Sequence, residues 1–188
     1  AMKRVFVIIL AIAAAAMGCR AQEVVEINST RQAVKRTGDA LLVAMPLATL
    51  TAVIVERDWQ GLKQAAFSTA TTLGASHLLK YTVHKMRPDR SDNHAFPSAH
   101  TAVMFANAAF VQRRYGWKFG VPAYVLATYV GGSRTYAKKH DWWDVVTGAA
   151  IGAGSSYIFT RPFAKKHNLA MAPVSDGEHF GITASFNF

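Results

Sequence analysis

The sequence has few cysteines, few acidic residues and no very long apolar run. Its single cysteine, Cys19, excludes an internal disulfide framework and a zinc site built from several cysteines. Acidic residues number 11 against 21 lysines and arginines, so the formal net charge is +10. Such a charge suits nucleic acid, but here the basic residues stand at the ends of apolar segments, a position that fits a membrane surface at least as well. We therefore expect no nucleic-acid partner.

Five uncharged segments of 11 to 16 residues carry most of the apolar side chains: 40–55, 64–79, 101–111, 119–132 and 145–160. Each is shorter than the roughly 20 residues that cross a bilayer as a helix, and the mean hydropathy of +0.12 is low for a multi-spanning protein. Their Ala, Gly, Ser and Thr content nevertheless suits close packing of helices in a membrane. The composition favours a membrane protein and leaves a soluble, exported helical bundle as the alternative.

The two ends of the chain differ from its middle. Lys3 and Arg4 precede an apolar run, so residues 1–21 are predicted to be a signal peptide or an N-terminal anchor. Residues 22–168 are expected to form one helical domain, in which Pro46 kinks or restarts a helix. Residues 169–188 form a tail, and its last ten residues alternate apolar and other side chains with the period of a β-strand.

Three polar clusters stand where apolar segments begin or end. They contain three cations, two histidines and one carboxylate, a set that suits holding a phosphoryl group while one imidazole attacks it and another protonates the leaving oxygen. In chain order they are Lys80 with Arg87-Pro88, then Pro97-Ser98-Ala99-His100, then Ser133-Arg134 with His140 and Asp144.

Each cluster has a local physical interpretation. Pro88 disfavours helix at Arg87, so the preceding helix should end there and turn the guanidinium toward the site. Pro97-Ser98 is a helix-start signal, and the backbone N–H groups of a helix start, together with the Ser98 hydroxyl, form an anion site. His140 and Asp144 are four residues apart, which places them on one face of a helix that begins near Asp141.

The spacing Lys-x6-Arg-Pro, Pro-Ser-Ala-His and Ser-Arg-x5-His-x3-Asp resembles the three-part signature of the type 2 phosphatidic acid phosphatase superfamily, which includes lipid phosphatases, non-specific acid phosphatases and vanadium haloperoxidases. The resemblance implies that His140 is the nucleophile, His100 the acid and Asp144 the group that orients His140. It assigns phosphate binding to Lys80, Arg87, Ser98, Ala99 and Arg134. Ala99 departs from the family pattern, which has glycine at this position; alanine disfavours positive φ and adds a methyl group near the phosphate.

The expected fold is all-α: an up-down bundle of five to six helices with the active site at one end and a short strand-like tail. Under the positive-inside tendency that end faces outward, which predicts an enzyme of the bacterial inner membrane facing the periplasm. The expected reaction is hydrolysis of a lipid phosphate monoester or pyrophosphate through a phosphohistidine, with no metal and no cofactor. A soluble periplasmic acid phosphatase, a vanadium haloperoxidase and an inactive phospholipid-binding membrane protein remain as alternatives.

Overall fold

The computed structural model describes residues 29–90 and 92–163, and the backbone of residues 169–175 and 180–186. The predicted signal peptide or anchor at residues 1–21 lies outside these ranges. Five helices form the described body, in the order α1 (Ser29–Val55), α2 (Trp59–Thr82), α3 (Ala99–Tyr115), α4 (Trp117–Tyr136) and α5 (Trp142–Phe159). They confirm the expected all-α bundle.

The helix α3 is the centre of the bundle and packs against the other four helices. Its closest neighbour is α5, which approaches it through Gly148 and Gly152, one turn apart on the same face. A Cβ atom added at Gly148 would lie 2.5 Å from the Ser98 carbonyl oxygen, and one added at Gly152 would lie 2.8 Å from the Ala106 nitrogen. Only glycine permits this backbone contact, which holds the start of α3 against the start of α5.

The helices alternate in direction, so the three polar clusters meet at one end of the bundle, as expected from the sequence. At the opposite end, the Asp58 carboxylate caps α2 by accepting from the Gly61 N–H at 2.8 Å. The same carboxylate accepts two hydrogen bonds from Arg114, at 2.7 and 2.5 Å, and both side chains are buried. A buried ion pair of this kind is costly to break because either partner alone would be an uncompensated charge.

The helices are longer than the uncharged runs that predicted them, because helical structure continues into the flanking polar residues. They span 17 to 27 residues, and α1 passes through Pro46 without a break, so the predicted restart at this proline is wrong. Among the described residues, α1 is the one helix long and apolar enough by itself to cross a membrane, with a mean hydropathy of 1.9 over its most apolar window.

Large apolar side chains cover the outer faces of the bundle, while much of its interior is small or polar. Phe67, Leu78 and Ile158 are more than 60% exposed. By contrast, Ser68 and Ser156 are buried and joined through their hydroxyl groups at 2.5 Å. This distribution is the reverse of that in most water-soluble bundles, whose outer faces are mainly polar.

The tail forms a two-stranded antiparallel hairpin of β1 (Leu169–Ser175) and β2 (Phe180–Phe186), in which Leu169 pairs with Phe186. The strand β2 falls within the segment whose period of two predicted a strand. Its partner β1 was not anticipated, because an Ala- and Pro-containing segment such as LAMAPVS lacks a clear alternation of apolar and polar residues.

Candidate active site

A cavity of about 380 Å³ opens at the end of the bundle where the three clusters meet. Five of its lining residues are cations, two are histidines and one is a carboxylate. The lining consists of Lys35, Asp39, Lys80, Arg87, Ala99, His100, Arg134, Lys139 and His140. The structure thus brings six of the eight predicted site residues to one cavity wall, and the other two, Ser98 and Asp144, lie behind it.

The first cluster enters the cavity from the end of α2 and the loop that follows. The helix ends at Thr82, five residues before Arg87, so the helix stops earlier than Pro88 alone predicted. Lys80 donates a hydrogen bond to the carbonyl oxygen of His94 at 2.8 Å, which ties the ammonium to the loop. Arg87 is fixed by its backbone N–H, which donates to Asp92 O at 2.8 Å, and by an ion pair with the Asp92 carboxylate at 3.5 Å.

The second cluster starts α3, as predicted. Ser98 is the N-cap and is fully buried, and its Oγ accepts from the Thr101 hydroxyl at 3.0 Å. The oxygen is turned into the helix start and does not line the cavity, so a contact between Ser98 and phosphate stays a prediction. Ala99 is helical and is not among the residues with positive φ, so an alanine at the family's glycine position is accommodated without backbone strain.

The third cluster adds the guanidinium of Arg134, which is buried at the end of α4. Its Nη1 donates to Asp39 Oδ1 at 2.7 Å, and its Nη2 donates to the carbonyl oxygen of Lys35 at 3.1 Å. The same Asp39 Oδ1 lies 3.1 Å from His100 Nε2. One carboxylate oxygen of α1 therefore joins the second cluster to the third.

Two buried donors beside this cavity have no acceptor within the described residues. They are the Nε–H groups of Arg87 and Arg134. Buried N–H groups in native proteins are nearly always paired, and an unpaired one costs about 1–3 kcal/mol. Guanidinium groups with a free edge suit an anion with several oxygens, such as a phosphoryl group.

His140 is 5% exposed and lies in the connection between α4 and α5. Its Nδ1 is 2.8 Å from the carbonyl oxygen of Ala95, which can only accept, so Nδ1 carries the proton and Nε2 is left unprotonated. Burial, followed by the positive charges of Arg87 and Lys80, lowers the pKa of His140 to about 4. The imidazole is therefore neutral at physiological pH, which is its nucleophilic form.

Asp144 is fully buried beside His140, and the two side chains are in ion-pair contact but do not form the direct hydrogen bond expected from the sequence. Its Oδ2 lies 3.6 Å from His140 Nδ1 and accepts instead from the Asp141 N–H at 2.9 Å. The physical reason is that Asp141 is the N-cap of α5, so His140 precedes the helix and does not share a face with Asp144. Asp144 Oδ1 accepts from Lys85 Nζ at 2.7 Å. Asp144 therefore acts on His140 through its charge and by fixing the helix start.

A further group of titratable side chains lies beside the cavity on the loop before α3. This group contains four residues of types that bind metal ions, namely His84, Asp89, Asp92 and His94. Asp92 instead holds the His94 ring at 2.9 Å, and Asp89 pairs with Lys139. In the part of the chain that the structure describes, no three His, Cys, Asp or Glu side chains form a cation-binding group.

A model of the PAP2 superfamily matches residues 61–167, more than half of the chain. The chain belongs to this superfamily. The resemblance drawn from the three clusters is thereby confirmed, and all eight predicted site residues fall within the matched segment. The helix α1, which carries Lys35 and Asp39, precedes it.

Two curated relatives are named for lipid A. The lipid A 4'-phosphatase of Helicobacter pylori strain J99 is 29% identical over 177 residues, which are 86% of this chain and 89% of that protein. The lipid A 1-phosphatase of Porphyromonas gingivalis strain ATCC 33277 is 37% identical over 76 residues, which are 39% of this chain and 17% of that protein.

Two crystal structures share the fold of this chain. Aquifex aeolicus LpxE superimposes with a TM-score of 0.58 at 20% identity and covers 79% of this chain and 92% of its own. The transmembrane PAP2-type phosphatidylglycerolphosphate phosphatase of Bacillus subtilis superimposes with a TM-score of 0.56 at 22% identity. The match covers 83% of this chain and 84% of that chain. At these identities the likeness supports the fold alone.

The structure adds residues to the site that the sequence did not single out. Lys35, Asp39 and Lys139 line the cavity, and Lys85 pairs with Asp144. The hydrogen bonds to Asp144 and Asp141 outweigh the effect of burial and raise the pKa of Lys85. The spacing of Lys35 and Asp39 by one helical turn was a weak signal that both belong to one face of α1.

Proposed function

We propose that the protein is a membrane phosphatase that removes a phosphate monoester from a phosphorylated lipid, with a lipid A-type glycolipid as the substrate class, through a phosphohistidine on His140. The observation that carries the proposal is the cavity itself. It combines a buried neutral imidazole, a second histidine and two guanidinium groups with unpaired N–H donors. Covalent attack, proton donation and charge stabilisation are thus available at one place.

The first step follows from the tautomer of His140. Its Nε2 lone pair attacks phosphorus, and the bond from phosphorus to the lipid oxygen breaks. The Ala95 carbonyl oxygen accepts a hydrogen bond from the Nδ1–H group throughout, and the Asp144 charge stabilises the positive imidazole ring that forms. His100 gives its proton to the lipid oxygen, which leaves as an alcohol.

In the second step water attacks the phosphohistidine and His100 takes the proton of that water. Inorganic phosphate leaves, and both imidazoles return to their initial states. The cations Lys80, Arg87 and Arg134 face the phosphoryl oxygens in both steps. Fixed charges in a site with little water supply the stabilisation that other phosphatases take from metal ions.

Replacing Arg134 with lysine should lower kcat/KM by about 100-fold, although the charge is kept. Lysine cannot donate to Asp39, to the Lys35 carbonyl and to a phosphoryl oxygen with the geometry of a planar guanidinium. The variant is compared with wild type in steady-state kinetics on the same lipid substrate. Kinetics within threefold of wild type would contradict a forked contact between Arg134 and phosphate.

The placement of tryptophan supports a location in the membrane. All four tryptophans of the chain start a helix and are more than 60% exposed. Trp142 and Trp143 lie at the end that carries the cavity, and Trp59 and Trp117 lie at the opposite end. The 20 residues of α4 separate the two groups by about 30 Å, which is the thickness of the hydrocarbon layer of a bilayer. Belts of tryptophan at two such levels are typical of membrane proteins.

Exposed basic residues stand at both ends of the bundle. Those of the opposite end include Arg57, Lys63, Lys118 and Arg161, and those of the cavity end include Arg31, Arg36, Arg90 and Lys138. The positive-inside tendency therefore does not by itself distinguish the two ends. The proposal keeps the cavity toward the periplasm of a bacterial cell envelope, at the level where a lipid headgroup meets water.

The substrate class rests on the two relatives whose names contain lipid A, one of them similar over most of both chains. The cavity supports a headgroup larger than a simple phosphate, because Lys35 and Lys139 extend its cationic wall beyond the three clusters. A phosphorylated glycolipid offers both the phosphate and the acyl chains that exposed tryptophans would contact.

The test is phosphate release by the purified protein in mild detergent, without added metal, from lipid A, phosphatidic acid, a polyprenyl pyrophosphate and a soluble chromogenic ester. We expect lipid A to be turned over at least about tenfold faster than the soluble ester, because remote contacts with the lipid contribute to transition-state binding. Equal rates on the soluble ester would favour a general acid phosphatase. No turnover of any substrate, with retained phosphate binding, would favour a binding protein and contradict the proposal.

A further inference from the structure

The helix α1 contributes a carboxylate to the cavity although it precedes the segment that matches the superfamily. Asp39 Oδ1 accepts from Arg134 Nη1 at 2.7 Å and lies 3.1 Å from His100 Nε2. Its Oδ2 lies 3.7 Å from the ammonium of Lys35. A negatively charged group thus engages the histidine and the arginine that would otherwise face a phosphoryl anion.

Close packing beside Asp39 fixes this arrangement. Gly38 is buried against α4, and a Cβ atom at this position would lie 2.5 Å from both Arg134 Nη2 and Ser133 Oγ. The backbone of α1 therefore approaches α4 as closely as a glycine allows. This packing fixes where the backbone at Asp39 lies relative to Arg134.

The charged surroundings of Asp39 are dominated by cations. Lys35 lies on its own helix, His100 on α3 and Arg134 on α4. The other titratable groups on the cavity wall are Lys80, Arg87, Lys139 and His140. Asp39 is the only carboxylate among the lining residues that the structure describes, so its charge acts directly on the anion-binding site.

We propose that Asp39 is a positioning residue that competes with phosphate: it holds His100 and Arg134 in place, stabilises the protonated form of His100, and weakens retention of the phosphate product. The inference rests on the proposed function. Because Asp39 engages the same two side chains that a phosphoryl or leaving oxygen would contact, the carboxylate keeps both side chains ordered before the substrate binds. Its negative charge opposes a second anion at the same place, which favours release of phosphate after hydrolysis.

The test compares wild type with Asp39→Asn, which keeps the side-chain size and removes the charge. We expect kcat at pH 8 to fall about tenfold and the alkaline limb of the kcat profile to move about one pH unit lower. The limb should move to lower pH because protonated His100 loses the carboxylate that stabilises its charge, and activity requires the protonated form. In Asp39→Asn the dissociation constant of inorganic phosphate, measured by calorimetry, should also fall about tenfold, which means that phosphate binds more tightly.

Two further variants separate this role from a structural one. Asp39→Glu, which restores the charge, should return the alkaline limb toward its wild-type position. Glu56→Gln removes a carboxylate at the opposite end of the bundle, outside the residues that line the cavity, and should leave the limb in place. A merely structural role would weaken turnover and phosphate binding together, so this pattern in Asp39→Asn would overturn the inference. Unchanged kinetics and unchanged phosphate affinity would also overturn it.

Failure of the proposed function has a different signature. If the wild-type protein released no phosphate from any ester, the proposed function would be wrong. The calorimetric comparison would still decide about Asp39. Equal phosphate affinity in wild type and Asp39→Asn would then reject competition between the carboxylate and phosphate, whereas tighter binding in the variant would support it.

Discussion

Replacing His140 with alanine should lower kcat by at least about 10⁴-fold, because the variant has no nucleophile for the first step. The affinity for inorganic phosphate or vanadate should stay within a few-fold of wild type, since Lys80, Arg87 and Arg134 remain. Single-turnover kinetics on the preferred lipid and calorimetry with phosphate measure the two quantities separately. The combination distinguishes loss of chemistry from loss of the binding site.

The matched control is His84→Ala, which removes an exposed imidazole from the loop that follows α2. Its kcat should remain within twofold of wild type. Appreciable turnover by His140→Ala would show that another group attacks phosphorus. Equal losses in both histidine variants would point to a general effect of the substitutions on the protein.

The second large effect is expected from a single methyl group at Gly152. In Gly152→Ala the new Cβ would press on the backbone of α3 at Ala102 and lie 2.8 Å from the Ala106 nitrogen. Backbone atoms cannot move aside as a flexible side chain can, so we expect a loss of about 3 kcal/mol or more in the free energy of unfolding. Because this contact sets how closely α3 packs against α5, and both helices begin beside the cavity, the distance between His100 and His140 should change and activity should fall.

The control for this substitution is Gly154→Ala on the same helix. A Cβ at Gly154 meets no atom within 4 Å, so alanine should be neutral or stabilise the helix by up to about 1 kcal/mol. Thermal unfolding in the same detergent compares the two variants. Equal stability of Gly152→Ala and Gly154→Ala would contradict the close contact of α3 with α5.

The three polar clusters predicted the site from the sequence because each combines side chains of specific chemistry within a short stretch of the chain. Lys80 and Arg87 lie near the end of one helix, and Ser98 marks the start of the next with an ordinary capping signal. Alternation of helices then brings such ends together. This is why three short motifs could predict one cavity in a bundle whose other contacts were unknown.

The contacts that orient the two histidines were not predictable in the same way. His100 is 61 residues from Asp39, and the Ala95 carbonyl that holds His140 lies on a loop 45 residues earlier. A backbone carbonyl carries no mark in the sequence, and one aspartate in a long apolar helix has no motif. Such pairings depend on how the helices pack, and no spacing rule contains that information.

The expected pairing of His140 with Asp144 shows where a spacing rule reaches its limit. The interval of four residues implies a shared helical face only if both residues are helical. Asp141 has extended backbone angles as the N-cap, with φ −84° and ψ 166°, so the helix begins after His140. The residues remain neighbours, but the hydrogen bonds of the carboxylate go to the helix start and to Lys85, and it acts on the imidazole through its charge at 3.6 Å.

The most direct test of the account is to trap the covalent intermediate. The protein would be mixed with substrate carrying a radiolabelled phosphate, quenched in alkali within one turnover, digested and sequenced by mass spectrometry. We expect an acid-labile, alkali-stable phosphoryl group on His140, absent from His140→Ala. Label on another residue, or rapid turnover with no labelled protein at any quench time, would contradict nucleophilic attack by His140.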